Sequence, residues 1–393
     1  AEKLGVDGDD ALAGGLAAEI FELPLGCYVH VVSIQDAEFG YHQVVRGRGA
    51  ARQAHNHSRN HLRRKPGEEA VRTLIIHNPK SGFGSDAVYQ FQRSVVRPGD
   101  ECVFRLLEDD FDPREAVRDA TDFDVVVASG GDGTVSGVMH ALAGTGVPVC
   151  AFPSGTANLF NANLGNTPEP QSLARACRMG QVADLDLGSL NWVDVDGTSH
   201  ERGFALMSGT GYDAQLMQAA LPNKALMGEA AYYAAALASP RPDVVGFRIT
   251  VDGQTYEREG IMCLVANAAM IQGDVQIVPD CRMDDGALDV IVVEVGSVAQ
   301  LAGPVLFALL DREGNKIGRP HIESFHGADI VVECSKPVPI EVDGDSQPAP
   351  VTRYEAHALP GVARVVVDSM SPYSQRAEQA SRFGGTDDVA FPK

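Results

Sequence analysis

The chain has 393 residues, 44% of them hydrophobic and 22% charged, which leaves room for two domains with real cores. Its formal net charge of −21 excludes a general nucleic-acid binder, because neutralising phosphates takes basic residues, and it disfavours tight adhesion to anionic lipid. No apolar run approaches the length of about 18 residues that a membrane-spanning helix needs. The first residues also lack the basic-then-apolar pattern of a signal peptide. The seven cysteines (Cys27, Cys102, Cys150, Cys177, Cys263, Cys281 and Cys334) are odd in number and never spaced C-x-x-C. They fit neither a zinc site nor a disulfide framework and predict a reduced, cytoplasmic protein.

Residues 1–70 read as an extension expected to be disordered, with Tyr28–Val32 the one strand-like run. From Tyr41 to Lys65 there is no acidic residue, and four histidines are interleaved with the arginines. The stretch reads as a solvated leader, with contact to acidic lipid head groups or RNA, and adventitious metal binding by the histidines, as the functional alternatives. The folded part opens at Arg72. Thr73–His77 predicts a strand, Asn78-Pro79-Lys80-Ser81-Gly82 a loop, and 86–95 a helix. Cys102–Leu106 predicts a strand, and Asp112-Pro113 opens a helix with Asp as cap and Pro at its first position. Val125–Ala128 then reads as a buried parallel strand. Ser129-Gly130-Gly131-Asp132-Gly133-Thr134 interrupts it, and Val135, Val138, Met139 and Leu142 recur at helical spacing. A strand, a glycine loop and a helix N-terminus make a phosphate-binding arrangement: glycine lets backbone approach, and the first-turn N–H groups point at the anion. Asp132 cannot itself hold phosphate. It makes sense through Mg2+, an ordered water, or as a cap on backbone N–H groups. Val147–Phe152 is a further strand, running into Ser154-Gly155-Thr156-Ala157-Asn158. Three strand–loop–helix units thus place their loops where α/β sheets bind ligands.

After a helix over 171–179 and a strand over 182–188, the texture becomes alternating strands and turns up to about residue 350. Asp196-Gly197, Asp252-Gly253 and Asp343-Gly344 each carry the sequence of a type I′ turn. Residues 224–237 predict a helix. Asp284-Asp285-Gly286 and its neighbours cluster carboxylates beside a turn, which suits a hard cation with backbone carbonyls completing the shell, or a solvated turn. Leu359–Val367 is a last strand, and 369–393 is expected to be a disordered tail.

These blocks, in this order, resemble the diacylglycerol kinase catalytic family, the bacterial-type lipid kinases within the NAD kinase-like superfamily. The resemblance rests on Asn78-Pro79-Lys80-Ser81-Gly82, Gly130-Gly131-Asp132-Gly133-Thr134, Gly155-Thr156-Ala157-Asn158, Pro279-Asp280 with Asp284-Asp285-Gly286-Ala287-Leu288-Asp289, and Asp343-Gly344-Asp345. It implies an N-terminal Rossmann-like, NAD kinase-type α/β nucleotide domain over 71–188, joined by a returning strand near 358–368. A β-rich sandwich domain over 189–357 follows. It also implies ATP held by Asn78, Pro79, Lys80, Ser81, Gly82, Gly130, Gly131, Asp132, Gly133, Thr134, Ser154, Gly155, Thr156 and Asn158. A Mg2+ is implied on Asp285 and the carbonyls of Arg282 and Ala287, with Asp186 in the supporting network. Asp343, Asp345 and Asp132 carry catalysis, Asp343 or Asp345 being the base. Two positions depart from the family pattern. Leu159 replaces a frequent Asp, and Asp345 replaces a Glu, retracting the carboxylate by about 1.5 Å.

The resulting expectation is an ATP- and Mg2+-dependent lipid kinase acting on a membrane lipid, diacylglycerol first among the acceptors. Such an enzyme is expected in the cytoplasm at the inner membrane surface, without nucleic acid and as a possible homodimer. Its rivals are an NAD kinase and an inactive nucleotide-binding protein of the same fold.

Overall fold

In the computed structural model the described residues are 16–23, 27–34, 42–47, 70–81, 86–108, 111–179, 181–215, 242–271, 275–296, 300, 310–312 and 319–374. Within the segment expected to be a disordered extension lie three strands, β1 (Leu16–Leu23), β2 (Cys27–Ile34) and β3 (His42–Gly47). Then come β4 (Arg72–His77), α1 (Ala87–Val95), β5 (Glu101–Leu106), α2 (Pro113–Ala116), β6 (Val125–Gly130), α3 (Asp132–Ala141), β7 (Val149–Pro153), α4 (Leu159–Leu164), α5 (Pro170–Met179) and β8 (Val182–Asp194). The β-rich part follows with β9 (Ser199–Phe204), β10 (Met207–Gly211), β11 (Val245–Val251), β12 (Gln254–Gly260), β13 (Met262–Ala266), β14 (Met270–Ile271), β15 (Val275–Gln276) and β16 (Leu288–Val293). It ends with β17 (Ile322–Gly327), β18 (Asp329–Val338), β19 (Ile340–Val342), β20 (Asp345–Ser346) and β21 (Val351–Val366).

Strands β5, β4, β6 and β7 pair in parallel in that order, and β3 adds antiparallel to the free edge of β5. That open edge is the physical reason for the pairing of β3, since unpaired N–H and C=O groups of a strand edge recruit a partner. Period-2 alternation sorts the side chains of the parallel strands between two layers. Leu74, Ile76, Val126 and Ala128 pack with Val135, Val138 and Met139 of α3, whereas Ile75, Val125 and Val127 pack with Phe91 of α1 and Leu173 and Cys177 of α5. The helix predicted after the central glycines begins at Asp132, earlier than the apolar spacing suggests. The helix opened by Asp112-Pro113 is a single turn, although Asp112 caps it through the Arg114 N–H at 2.8 Å.

The β-rich part is a sandwich. The large sheet continues from β7 through β21, β18 and β11 to β12, and a second sheet runs β17-β16-β13-β10-β19-β20. Phe247, Ile249, Val290, Val292, Ile330, Val332, Ile340 and Tyr354 fill the space between them. β21 pairs with β18 at one end and with β7 at Val365↔Val149 at the other, and it pairs with β8 along most of its length. Its register shifts between Leu359 and Ala363, at Pro360-Gly361.

Asp252-Gly253 and Asp343-Gly344 adopt φ values of +48° and +83°, the two positive angles of a type I′ turn. Asp196-Gly197 does not, because only Gly197 is left-handed. There the Asp194 N–H donates to Thr198 O at 3.0 Å, and the Asp194 carboxylate receives the Thr198 N–H at 3.0 Å, which closes a longer loop. The predicted tail is ordered as far as residue 374. Ser371 Oγ donates to Leu164 O at 2.6 Å, and Tyr373 is buried, because Asp368 caps the turn through the Met370 N–H at 2.8 Å. The helix expected at 224–237, Gly82 and residues 375–393 lie outside the described residues.

Candidate active site

The loops after β4, β6 and β7 meet because their strands are parallel neighbours. Asn78 N–H donates to Ser129 O at 2.8 Å and Gly131 N–H to Ser81 Oγ at 3.1 Å, so the first loop is fastened to the second. Asn78 Nδ2 reaches Thr134 Oγ1 at 3.2 Å. The second and third loops touch backbone to backbone. A Cβ on Gly155 would stand 2.5 Å from Gly131 Cα, so glycine is required there. Asn158, in the left-handed region at φ +52°, closes its own loop by accepting the Gly155 N–H at 2.7 Å. Beneath the loops, His77 Nδ1, Ser129 Oγ and Ser154 Oγ form a chain of hydrogen bonds of 2.9 and 2.8 Å. Pro79, Lys80, Gly133 and Thr156 face outward. The first intrahelical bond of α3 is Val135 N–H to Gly131 O, so the amides of Gly133 and Thr134 precede it and lie where an anion is drawn. Asp132 Oδ1 accepts the Phe160 N–H at 2.9 Å, capping α4 across the cleft. Among the roles open to it from sequence, the structure shows the cap.

The β19–β20 hairpin lies against this surface. Asp343 accepts N–H groups from Ala205 at 2.8 Å, Leu206 at 2.9 Å and Met207 at 3.1 Å, and the Ser136 hydroxyl of α3 donates to it as well. Burial pushes its carboxyl up to about 6 against the pull of these donors. Asp345 is different. Its side chain is 59% exposed, receives Arg202 Nη2 at 2.6 Å, and places Oδ2 3.7 Å from where a Cβ on Gly133 would stand. One acid therefore anchors the hairpin, and the other faces the phosphate loop.

Behind the hairpin lies a second acidic pair. Register places Glu341 opposite Gly209, and Glu341 is 1% exposed. Its Oε2 accepts the Gly344 N–H at 2.7 Å, while Oε1 has no hydrogen-bond partner. A Cβ on Gly209 would collide with Asp213 Oδ2 and Glu341 Oε1, so the missing side chain is what makes room for both carboxyls. Burial raises Glu341 well above its ordinary range, Asp213 adds repulsion, and burial also brings Asp213 to about 6.

Asp186 is 3% exposed and ties two segments together, accepting the Gly286 and Gly361 N–H groups at 2.7 Å each. Burial raises its pKa in spite of these donors. Asp285 is exposed, accepts the Ala287 N–H at 3.2 Å, and has Oδ2 3.9 Å from His326 Nε2. Its neighbours are engaged, Asp284 by Arg282 at 2.7 and 3.0 Å and Asp289 by His326 Nδ1 at 3.3 Å. Among the described residues no three His, Cys, Asp or Glu side chains converge as metal ligands. The Asp285 carboxylate is a hard oxygen donor of the kind a partly hydrated Mg2+ takes, and not a soft metal's ligand.

Sequence reasoning missed Arg202, Glu341 and Asp213 as site residues. Arg202 carries no local signal. Glu341, an acid between Ile340 and Val342 two residues before the hairpin acid, does carry one, but only the register against Gly209 makes it legible.

Residues 72–190 match the diacylglycerol kinase catalytic domain, and residues 207–367 match the YegS C-terminal NAD kinase beta sandwich-like domain. A protein named diacylglycerol kinase from Mycobacterium tuberculosis is 29% identical over 310 residues, 76% of this chain and 96% of the relative. A namesake from Bacillus subtilis is 26% identical over 287 residues, 70% and 89% of the two chains. A crystal structure titled as a diacylglycerol kinase from Bacillus anthracis shares the fold with a TM-score of 0.56 at 22% identity, covering 76% of this chain and 97% of that one. With both of its folded parts matched in order, the chain belongs to the diacylglycerol kinase catalytic-domain family and is a lipid kinase.

Proposed function

We infer that the protein transfers the γ-phosphoryl group of ATP to the hydroxyl of a membrane lipid, with diacylglycerol as the acceptor. The observation that carries this reading is the placement of Asp345 over the first turn of α3, beside Gly133. It puts a solvent-facing carboxylate next to an anion-binding helix N-terminus. The loops at 78–81, 130–134 and 154–158 hold the phosphates through backbone N–H groups and short hydroxyls. Mg2+ bound with ATP supplies charge neutralisation of the phosphates, and positioning with electrostatics provides most of the acceleration. The acceptor oxygen forms its bond to phosphorus as the bond to the bridging oxygen breaks, and that electron pair leaves with ADP. The hydroxyl proton passes to Asp345, whose oxygens face the cleft, while Asp343 holds the hairpin through residues 205–207. Names of relatives at 26–29% identity support diacylglycerol as the acceptor. The lipid substrate requires contact with a membrane surface. Among the described residues no helix is long and apolar enough to cross one.

The test is transfer of labelled γ-phosphate from ATP with Mg2+ into a mixed-lipid extract. Labelled phosphatidic acid is the expected product. A different labelled lipid would replace the acceptor. Labelled NADP formed from NAD, with no labelled lipid, would overturn the reading in favour of an NAD kinase.

A further inference from the structure

Of the acids near the phosphate loop, Asp132 caps α4 and Asp343 anchors the hairpin, which leaves Asp345 facing a place that has to accept a highly charged nucleotide. The cation set against Asp345 is Arg202 on β9. Its Nη2 lies 2.6 Å from Asp345 Oδ2, the oxygen that stands beside Gly133 at the start of α3. At 37% and 59% side-chain exposure the pair adds little to stability. What separates it from an ordinary surface pair is its place: Asp345 Oδ2 stands beside Gly133, at a helix N-terminus where an anion is favoured. The Asp345 carboxylate lies where phosphoryl oxygens would be drawn, and Arg202 is its counter-ion.

We propose that Arg202 is a catalytic residue of the transfer step: when nucleotide binds, its guanidinium exchanges the Asp345 carboxylate for oxygens of the migrating phosphoryl group. The planar guanidinium matches phosphoryl oxygens two at a time, which an ammonium cannot do. The exchange also frees Asp345 to accept the hydroxyl proton, so one movement supplies the positive charge and uncovers the base. The inference rests on the kinase reading above and adds to it a residue that no sequence motif carries.

The experiment compares the wild-type protein with Arg202→Ala, Arg202→Lys and Arg202→Ala/Asp345→Asn. Lipid phosphorylation is followed in mixed micelles of diacylglycerol, and binding of ADP alone and of ADP with aluminium fluoride is measured by calorimetry. Arginine fingers at the transferred phosphoryl of GTPases are worth about 10³–10⁵-fold in kcat. Arg202→Ala is expected to lose about 10³-fold in kcat with little change in KM for ATP. Guanidinium ions should restore part of it, and Arg202→Lys should fall between. The variant should also lose the preference for ADP–aluminium fluoride over ADP while keeping the wild-type Tm. A wild-type fluoride preference in Arg202→Ala overturns the proposal. So does an alanine effect on kcat that disappears in the Asp345→Asn background, because Arg202 would then act only by holding Asp345. If wild-type protein phosphorylates no lipid, the functional reading fails instead, and the fluoride comparison still decides the role of Arg202.

Discussion

The protein contains two hairpins built on the same dipeptide with the same dihedral angles, Asp252-Gly253 and Asp343-Gly344. Both aspartates use their carboxylates alike, to collect main-chain N–H groups from a neighbouring segment. Asp252 takes those of Ala328 and Asp329 at 3.1 and 2.9 Å, and Asp343 takes those of residues 205–207. The turn and its local chemistry are therefore not what makes one of them part of a site. The difference lies in what stands around the second: Ser136 of α3, the acid Asp345 one residue beyond the glycine, and the buried Glu341 under its Gly344 amide. Function follows the address of the turn and not its sequence.

The largest effect that sharpens this contrast is Asp343→Ala against Asp252→Ala. Each buried amide left unpaired costs about 1–3 kcal/mol, and a misplacement of 1 Å near the chemistry costs about 10²-fold in rate. Asp343→Ala is expected to lower both Tm and kcat, the latter by more than about 10²-fold, and Asp252→Ala to lower Tm alone. Equal loss of kcat in both would dissolve the comparison. Asp345→Asn isolates the other acid of the active hairpin. General-base loss predicts a fall of about 10²–10⁴-fold in kcat at unchanged Tm, read by steady-state lipid phosphorylation.

Gly155→Ala probes the surface the hairpin faces. The added methyl meets Gly131 Cα at 2.5 Å, backbone against backbone, so the second and third loops must separate. A rise in KM for ATP of about 10–10²-fold is expected, with folding retained. The smallest effect is Glu341→Gln, which keeps an acceptor for Gly344 and removes a charge. Glu341 and Asp213 have folded-state pKa values raised by burial, so their contribution to stability is present at low pH, below their unfolded values. It is lost as pH rises, through about 6 for Asp213 and upward for Glu341. Glu341→Gln should therefore gain Tm relative to wild type between pH 4.5 and 8. A constant difference across that range would show that burial does not raise the Glu341 carboxyl.

What sequence made legible was what the chain settles within a few residues. The strands at 73–77 and 125–128, the glycine loops after them and two of the three Asp-Gly turns follow from hydrophobic run, glycine placement and local hydrogen bonding. Asp196-Gly197 escaped because the Asp194 carboxylate, two residues earlier, competes for the turn amides. The rest depends on register between distant strands. Nothing near Arg202 announces that β9 carries it to Asp345, 143 positions away. Gly209 is an unremarked glycine until Glu341 lies opposite it. The pairing of β3 likewise depends on the free edge of β5, which forms only after residue 101 joins the sheet.

The pairing of β8 with β21 has a mechanical consequence. The two lobes are joined by a ladder running from Val182↔Val366 to Asp194↔Val351, with a step at Pro360-Gly361 and Asp186 fastened to the Gly361 amide. A single covalent tether lets two bodies swing freely, but a hydrogen-bonded ribbon behaves as a leaf spring: compliant in twist and bend at its step, stiff in stretch and shear. Bending is therefore easiest at that step, where the ladder between Leu359 and Ala363 shifts register, and stretch along the ribbon meets its hydrogen bonds.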